Sequence, residues 1–174
     1  SEQVEGWDGQ ILPEDEELTG TEWQPHANAE SLIKASGANI NHVHGDRAFY
    51  WPVQDVIVLP DMAQFKNIDG YYNTVLHELT HWTGAKHRLA RDFTGRFRSE
   101  AYAFEELVAE MGSAMLCAHT GVTSEPLESH AKYLNSWIKV IKSDARNILK
   151  AASLAEKAAT YCINAHETAT AKAA

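Results

Sequence analysis

Residues 77–81 read His-Glu-Leu-Thr-His. On an α-helix, side chains four apart stand one turn above each other on the same face. His77 and His81 can therefore aim both imidazoles at one metal ion, and imidazole nitrogen is a common ligand for zinc. Glu78 falls beside them, placed to accept a proton from a metal-bound water rather than to ligate. Such a set generates a nucleophile from water at neutral pH, which is the chemistry of metal-assisted hydrolysis. A catalytic site of this kind needs a third protein ligand, with the fourth position left to water.

Residues 104–111, Phe-Glu-Glu-Leu-Val-Ala-Glu-Met, offer that ligand. Glu106 and Glu110 share a helical face, with Tyr102 a turn earlier, while Glu105 is rotated by about 100°. Leu107, Val108, Met111, Ala114 and Met115 cover the rest of the helix with apolar surface. Two carboxylates and a phenol there make poor sense as a solvated stripe and good sense facing a cation. Glu106 is the expected ligand, with Glu105 as the alternative. Glu110 is expected to accept the spare ring N–H of a ligand histidine, fixing its tautomer.

These residues need two helices to hold them. The first is expected from an Asp69 cap to Gly84, with Val75, Leu76, Leu79 and Trp82 as its apolar side. The second is expected from Ser99 to about His119, before Gly121. Upstream, Asn28 to Ser36 reads as a short helix closed by Gly37. Asn39 to His44, Ala48 to Trp51 and Asp55 to Leu59 read as strands of a small antiparallel meander. Two further helices are expected, about Ser129 to Lys142 and about Asp144 to Asn164, the last rich in alanine. The fold class is α+β: a small antiparallel sheet, an active-site helix and a C-terminal helical bundle. One domain over 25–165 follows, with an extended acidic lead-in over 1–24 and a polar, frayed tail over 166–174.

Composition narrows the function. At 174 residues the chain can bury a core without disulfides. Asp and Glu outnumber Lys and Arg by 24 to 15, and no dense basic run is present, so this chain alone is not expected to grip nucleic acid. No run of 18 apolar residues is present, and the N-terminus lacks the pattern of a signal peptide, so no membrane partner is expected. Cys117 and Cys162 read as buried free thiols, which suits a reducing cytoplasm. His42 and His44 read as structural, His87 lacks the pattern of a distant third ligand, and Phe49, Tyr50 and Trp51 read as sheet packing.

With these residues in view, the chain from about Ala38 to Cys162 resembles the C-terminal metallopeptidase domain of the ArdC antirestriction proteins and the polyvalent proteins of plasmids and phages. The resemblance rests on Ala48-Phe-Tyr, Asp55-Val-Ile-Val-Leu-Pro60, Tyr71-Tyr72, His77 through Gly84, Arg88-Leu89 and Tyr102 through Glu110. His130-Ala-Lys-Tyr133, Ser136-Trp137-Ile-Lys-Val and the Ala-rich segment from Lys150 to Tyr161 complete it. It implies a zincin-like fold, one zinc per chain and a gluzincin-like glutamate as third ligand. Family members usually carry an N-terminal single-stranded-DNA-binding domain, which nothing here matches. Arg98 stands where the family pattern has Gly, a departure in the loop before the second helix.

The expected activity is hydrolysis of a protein or peptide by a zinc-activated water, with Glu78 as general base, in the conflict between mobile elements and their hosts. Tyr102, Tyr72, His130 and Tyr133 are candidate donors to the developing oxyanion. Tyr102 and His130 are the catalytic candidates set beside Glu78. The substrate is expected to add to the edge of the Asp55 to Leu59 strand. The alternatives are a catalytically weak module that sequesters a host restriction or regulatory protein, and a scaffold whose metal only stabilises the fold.

Overall fold

The computed structural model describes residues 24–91, 100–124, 137–138, 142 and 144–173. Among these, the regular elements are α1 (Ala27–Ser36), β1 (Asn39–Val43), β2 (Phe49–Trp51), β3 (Val56–Pro60), α2 (Ile68–Thr83), α3 (Glu100–Thr120) and α4 (Arg146–Ala173). The class is α+β. Most of the lead-in, residues 1–23, lies outside the described residues, as do His130, Tyr133 and the greater part of the helix expected over 129–142; Trp137, Ile138 and Lys142 are helical.

The sheet is mixed rather than an antiparallel meander. Its order is β1-β3-β2, with β1 parallel and β2 antiparallel to β3. The reason lies in the strands' own residues. Val-Ile-Val-Leu-Pro in β3 is apolar on both faces and nearly buried throughout, so it takes the centre. β2 has three residues and buries only Tyr50, so it serves as an edge. Both ladders of β3 are occupied, so a peptide cannot add to it as expected; among the described residues the outer strands are β1 and β2.

Ile57 sits between Ile40 and Tyr50 on the inner face of the sheet. That face shares one core with Leu32 of α1, Tyr72, Leu76 and Leu79 of α2, Leu116 of α3 and Cys162 of α4. Phe49 and Trp51 point the other way and are exposed. A second apolar cluster joins Ala103, Leu107 and Val108 of α3 to Trp137, Ala151 and Ala155. Cys117 and Cys162 are buried and unbridged.

α2 begins two residues earlier than the Asp69 cap expected from sequence. Asn67 caps it, its Oδ1 accepting the Gly70 N–H at 2.6 Å. Asn and Asp are near-equal caps by propensity. What decides between them is that the Asp69 carboxylate is engaged elsewhere, with His26 Nε2 at 2.9 Å and the Thr123 N–H at 3.2 Å. From Tyr71 to Thr83 only Thr74 and His81 are less than fully buried, so α2 runs through the middle of the molecule. α4 continues to Ala173, so residues 166–173 are helical rather than a frayed tail. Alanine favours the helix there, and His166 Nε2 is tied to Ser31 Oγ of α1 at 2.9 Å. No helix among the described residues is long and apolar enough to cross a membrane.

Candidate metal centre

Two helices meet here at unusually close range. A Cβ built on Gly112 of α3 would stand 2.5 Å from Thr80 Cγ2 of α2, closer than such atoms ever come. The Thr80 hydroxyl is itself fixed, donating to Leu76 O at 2.8 Å. Glycine at 112 therefore permits the approach that lets short side chains on α2 and α3 share a site. Ser113 Oγ and Cys117 Sγ continue the seam, bonded to Asn73 O and Asn73 Oδ1.

Just N-terminal to that contact on α3, His77, His81 and Glu106 converge. One ligand atom from each lies within 4.8 Å of the others. The two rings stand edge to face, 4.9 Å between centroids. Glu106 spans them, with Oε1 3.4 Å from His81 Nε2 and Oε2 3.8 Å from His77 Nε2. Donors about 2.0–2.1 Å from a tetrahedral zinc stand about 3.3–3.4 Å from each other. The donor set and its spacing thus fit a single small divalent cation. Glu78 is buried next to His77 and is not part of the three-residue cluster.

The far nitrogens of both rings face carboxylates. His81 Nδ1 lies 3.2 Å from Glu105 Oε1, and His77 Nδ1 lies 3.4 Å from Glu110 Oε2. A carboxylate only accepts, so the hydrogen bond to Glu105 puts a hydrogen on His81 Nδ1 and leaves Nε2 of that ring facing the cluster. Burial disfavours the charged form of His81, but bonding to Glu105 and Glu106 and the field of Glu78 outweigh it and push the ring up to about 10. Burial likewise raises Glu105 and Glu106, yet His81 and Arg91 hold Glu105 low, and His81, His77 and the Tyr102 hydrogen bond hold Glu106 low. A metal ion on Nε2 competes with the proton that this pairing favours.

Helical phase turned Glu105 away from the face of Glu106 and left it as the alternative third ligand. It lies outside the three-residue cluster, but it is buried against His81, a member of that cluster. Arg91, which sequence reasoning did not single out at all, grips it through Nε at 3.1 Å and Nη2 at 2.8 Å. The available signal was a glutamate among apolar neighbours, turned off the face of Glu106 and Glu110, with no Lys or Arg within helical reach. Tyr102 reaches Glu106 and so bears on the ligand itself. Tyr72 does not reach the site: it is fully buried and donates to Glu30 Oε1 at 2.7 Å. His42 is paired with the Tyr71 hydroxyl at 3.0 Å, and His87 lies against Asp55 at 3.4 Å.

Comparison with known proteins agrees with this geometry. A "DNA primase TraC" of Escherichia coli is 46% identical over 157 residues, covering 90% of this chain and 14% of that protein. The uncharacterised protein y4eC of Sinorhizobium fredii is 40% identical over 151 residues, covering 87% of this chain and 46% of that one. Crystal structures of the antirestriction protein ArdC from plasmid R388 superpose with a TM-score of 0.73 at 41% identity, one with Mn(II) bound and one metal-free. They cover 79% and 82% of this chain and 51% of ArdC. The chain thus spans about half of ArdC and a far smaller part of TraC. The model of the zincin-like metallopeptidase family matches residues 27–154. That stretch contains the sheet and both ligand-bearing helices, and the chain belongs to this family.

Proposed function

We propose that this chain is a zinc-dependent peptidase domain acting on a protein or peptide substrate in antirestriction. The observation that carries the reading is the convergence of His77, His81 and Glu106 with Glu78 buried beside them. Two imidazoles and a carboxylate suit zinc, and the Mn(II)-bound structure of ArdC shows that a related protein takes a first-row divalent ion. Zinc held there would supply Lewis acidity and bring the pKa of a water towards neutrality. Glu78 is the base for that water's proton and carries it to the leaving amine. Tyr102 orients Glu106, while Glu105 and Glu110 orient the two imidazoles. His130 remains the proposed additional donor to the oxyanion. The antirestriction name of the ArdC structures supplies the setting, with a host restriction or regulatory protein as the substrate class. The two buried thiols suit a cytoplasmic location, and the net charge of −9 disfavours nucleic-acid binding by this chain alone.

The test is cleavage of casein, a peptide library and restriction enzymes by the zinc-loaded chain beside Glu78→Gln. The amide keeps the shape and loses the basicity. Cleavage by the wild type and none by the variant is the expected outcome. Zinc uptake and tight binding of a restriction enzyme without cleavage would replace the peptidase with a sequestering module.

A further inference from the structure

We propose that Arg91 and Glu105 form a positioning pair that fixes the ring of His81 and thereby sets how tightly the site holds its ion. The inference rests on the reading of His81 as a ligand and adds a device that the ligand set does not contain. Glu105 Oε1 accepts from His81 Nδ1 at 3.2 Å, which fixes both the tautomer and the plane of the ring. A carboxylate free to rotate would fix neither. This one is not free, because Arg91 Nε reaches Oε2 at 3.1 Å and Nη2 reaches Oε1 at 2.8 Å.

Arg91 is in turn keyed to the helix that bears His81. Its Nη2 donates to Thr80 O at 2.6 Å and its Nη1 to Thr83 Oγ1 at 2.8 Å, while its backbone N–H donates to Gly84 O at 2.9 Å. The path is closed: from His81 to Glu105, to Arg91, and back to the last turn of α2. Only 3% of the Arg91 side chain and 9% of that of Glu105 are exposed, so water does not compete for these bonds. Glu110, the counterpart behind His77, is 29% exposed. His81 is therefore the ligand held in place in advance.

Zinc affinity measured by chelator competition on the full chain tests the pair. Loss of an outer carboxylate from a metal-bound histidine costs about 10- to 100-fold in affinity. Glu105→Ala and Arg91→Lys are expected to fall in that range. Lysine keeps the charge and lacks the planar fork, so the fold should survive. Glu105→Gln, whose amide oxygen still accepts from Nδ1, should lie between Glu105→Ala and wild type. The 15N resonance of His81 Nδ1 in the zinc-loaded protein should shift in Glu105→Ala and Arg91→Lys. Arg88→Lys, in the neighbouring ion pair, should bind zinc as the wild type does. Wild-type affinity and an unmoved Nδ1 resonance in Glu105→Ala would overturn the pair while leaving the ligand set intact. Equal losses in Arg88→Lys and Arg91→Lys would also overturn it, since the effect would then be general loosening. If the wild type takes up no zinc, ligand set and pair fall together.

Discussion

The turn after α2 sends two arginines in different directions. Arg88 goes to the sheet, where its guanidinium lies 3.7 Å above the Trp82 ring and its Nη1 reaches Asp55 Oδ2 at 3.0 Å. Asp55 also accepts from the Tyr50 hydroxyl at 2.8 Å, so this clasp ties the β2–β3 turn to the end of α2. Arg91 goes to α3 and Glu105. Both clasps use a buried guanidinium on a carboxylate, and both brace the last turn of α2 through a carbonyl, Trp82 O for Arg88 and Thr80 O for Arg91. They differ in what lies beyond the carboxylate. Behind Asp55 there is a tyrosine and a turn, whereas behind Glu105 there is His81 of the candidate metal centre. The same kind of ion pair therefore braces the sheet at one end and a histidine of the candidate metal centre at the other.

The largest expected effect is at the ligand itself. His81→Ala should lower zinc from near one per chain to near none, because the two remaining ligands cannot hold the ion against water. Metal analysis after dialysis checks it, and retained stoichiometric zinc would break the metal side of the comparison. Next comes the sheet side. Arg88→Ala should cost about 2–3 kcal/mol of unfolding free energy, below the range for fully buried pairs because Asp55 is 38% exposed. Zinc affinity should not change.

The sheet clasp also has a pH signature. Hydrogen bonds from Arg88 hold the Asp55 carboxyl down at about 2 against the effect of burial, from an ordinary 3.8. A carboxyl depressed in the folded state contributes stability above its unfolded pKa. That contribution should be lost as pH falls from 3.8 to about 2. Urea midpoints across this window should fall in the wild type, and this share of the fall should be missing in Arg88→Ala.

A smaller change probes the space between α2 and α3. Gly112→Ala should destabilise by about 1–3 kcal/mol and weaken zinc binding, since the new methyl must displace Thr80. Thr80→Ser in the same background removes Cγ2, the atom in the way, and should recover most of both losses. The smallest effect is at Ala90, which adopts φ 50 where the chain doubles back to present Arg91. Ala90→Gly relieves left-handed strain and adds backbone entropy to the unfolded chain, so the net gain should be about 0–1 kcal/mol. Thermal melts of the pair measure it.

Much of the centre is legible because helical periodicity is local. The four-residue spacings of His77 to His81 and Glu106 to Glu110 are enough to say which side chains share a face. Gly37 at φ 74 and Gly121 at φ 81 end their helices where glycine would be expected to. The sheet is legible as strands but not as an order, since pairing depends on contacts distant in sequence. Only the two-sided apolar character of β3 hinted that it belonged in the middle. The cap was expected at Asp69, and its carboxylate is held instead by His26 and the Thr123 N–H, contacts that pattern alone does not reveal. Glu105 was the instructive failure. Helical phase ranked it behind Glu106 as a ligand, and phase says nothing about an arginine arriving from a separate turn.

The contact at Gly112 limits which variants of this centre can exist. Opposing helices can usually accommodate a changed side chain by drifting together or apart. Here α2 and α3 can move only apart, because no side-chain atom remains between the Gly112 backbone and the Thr80 methyl. A ligand one methylene shorter at position 106 therefore cannot be met by drawing α3 inward. The close approach of the two helices thus depends on the absence of one carbon atom, on a residue outside the candidate cluster.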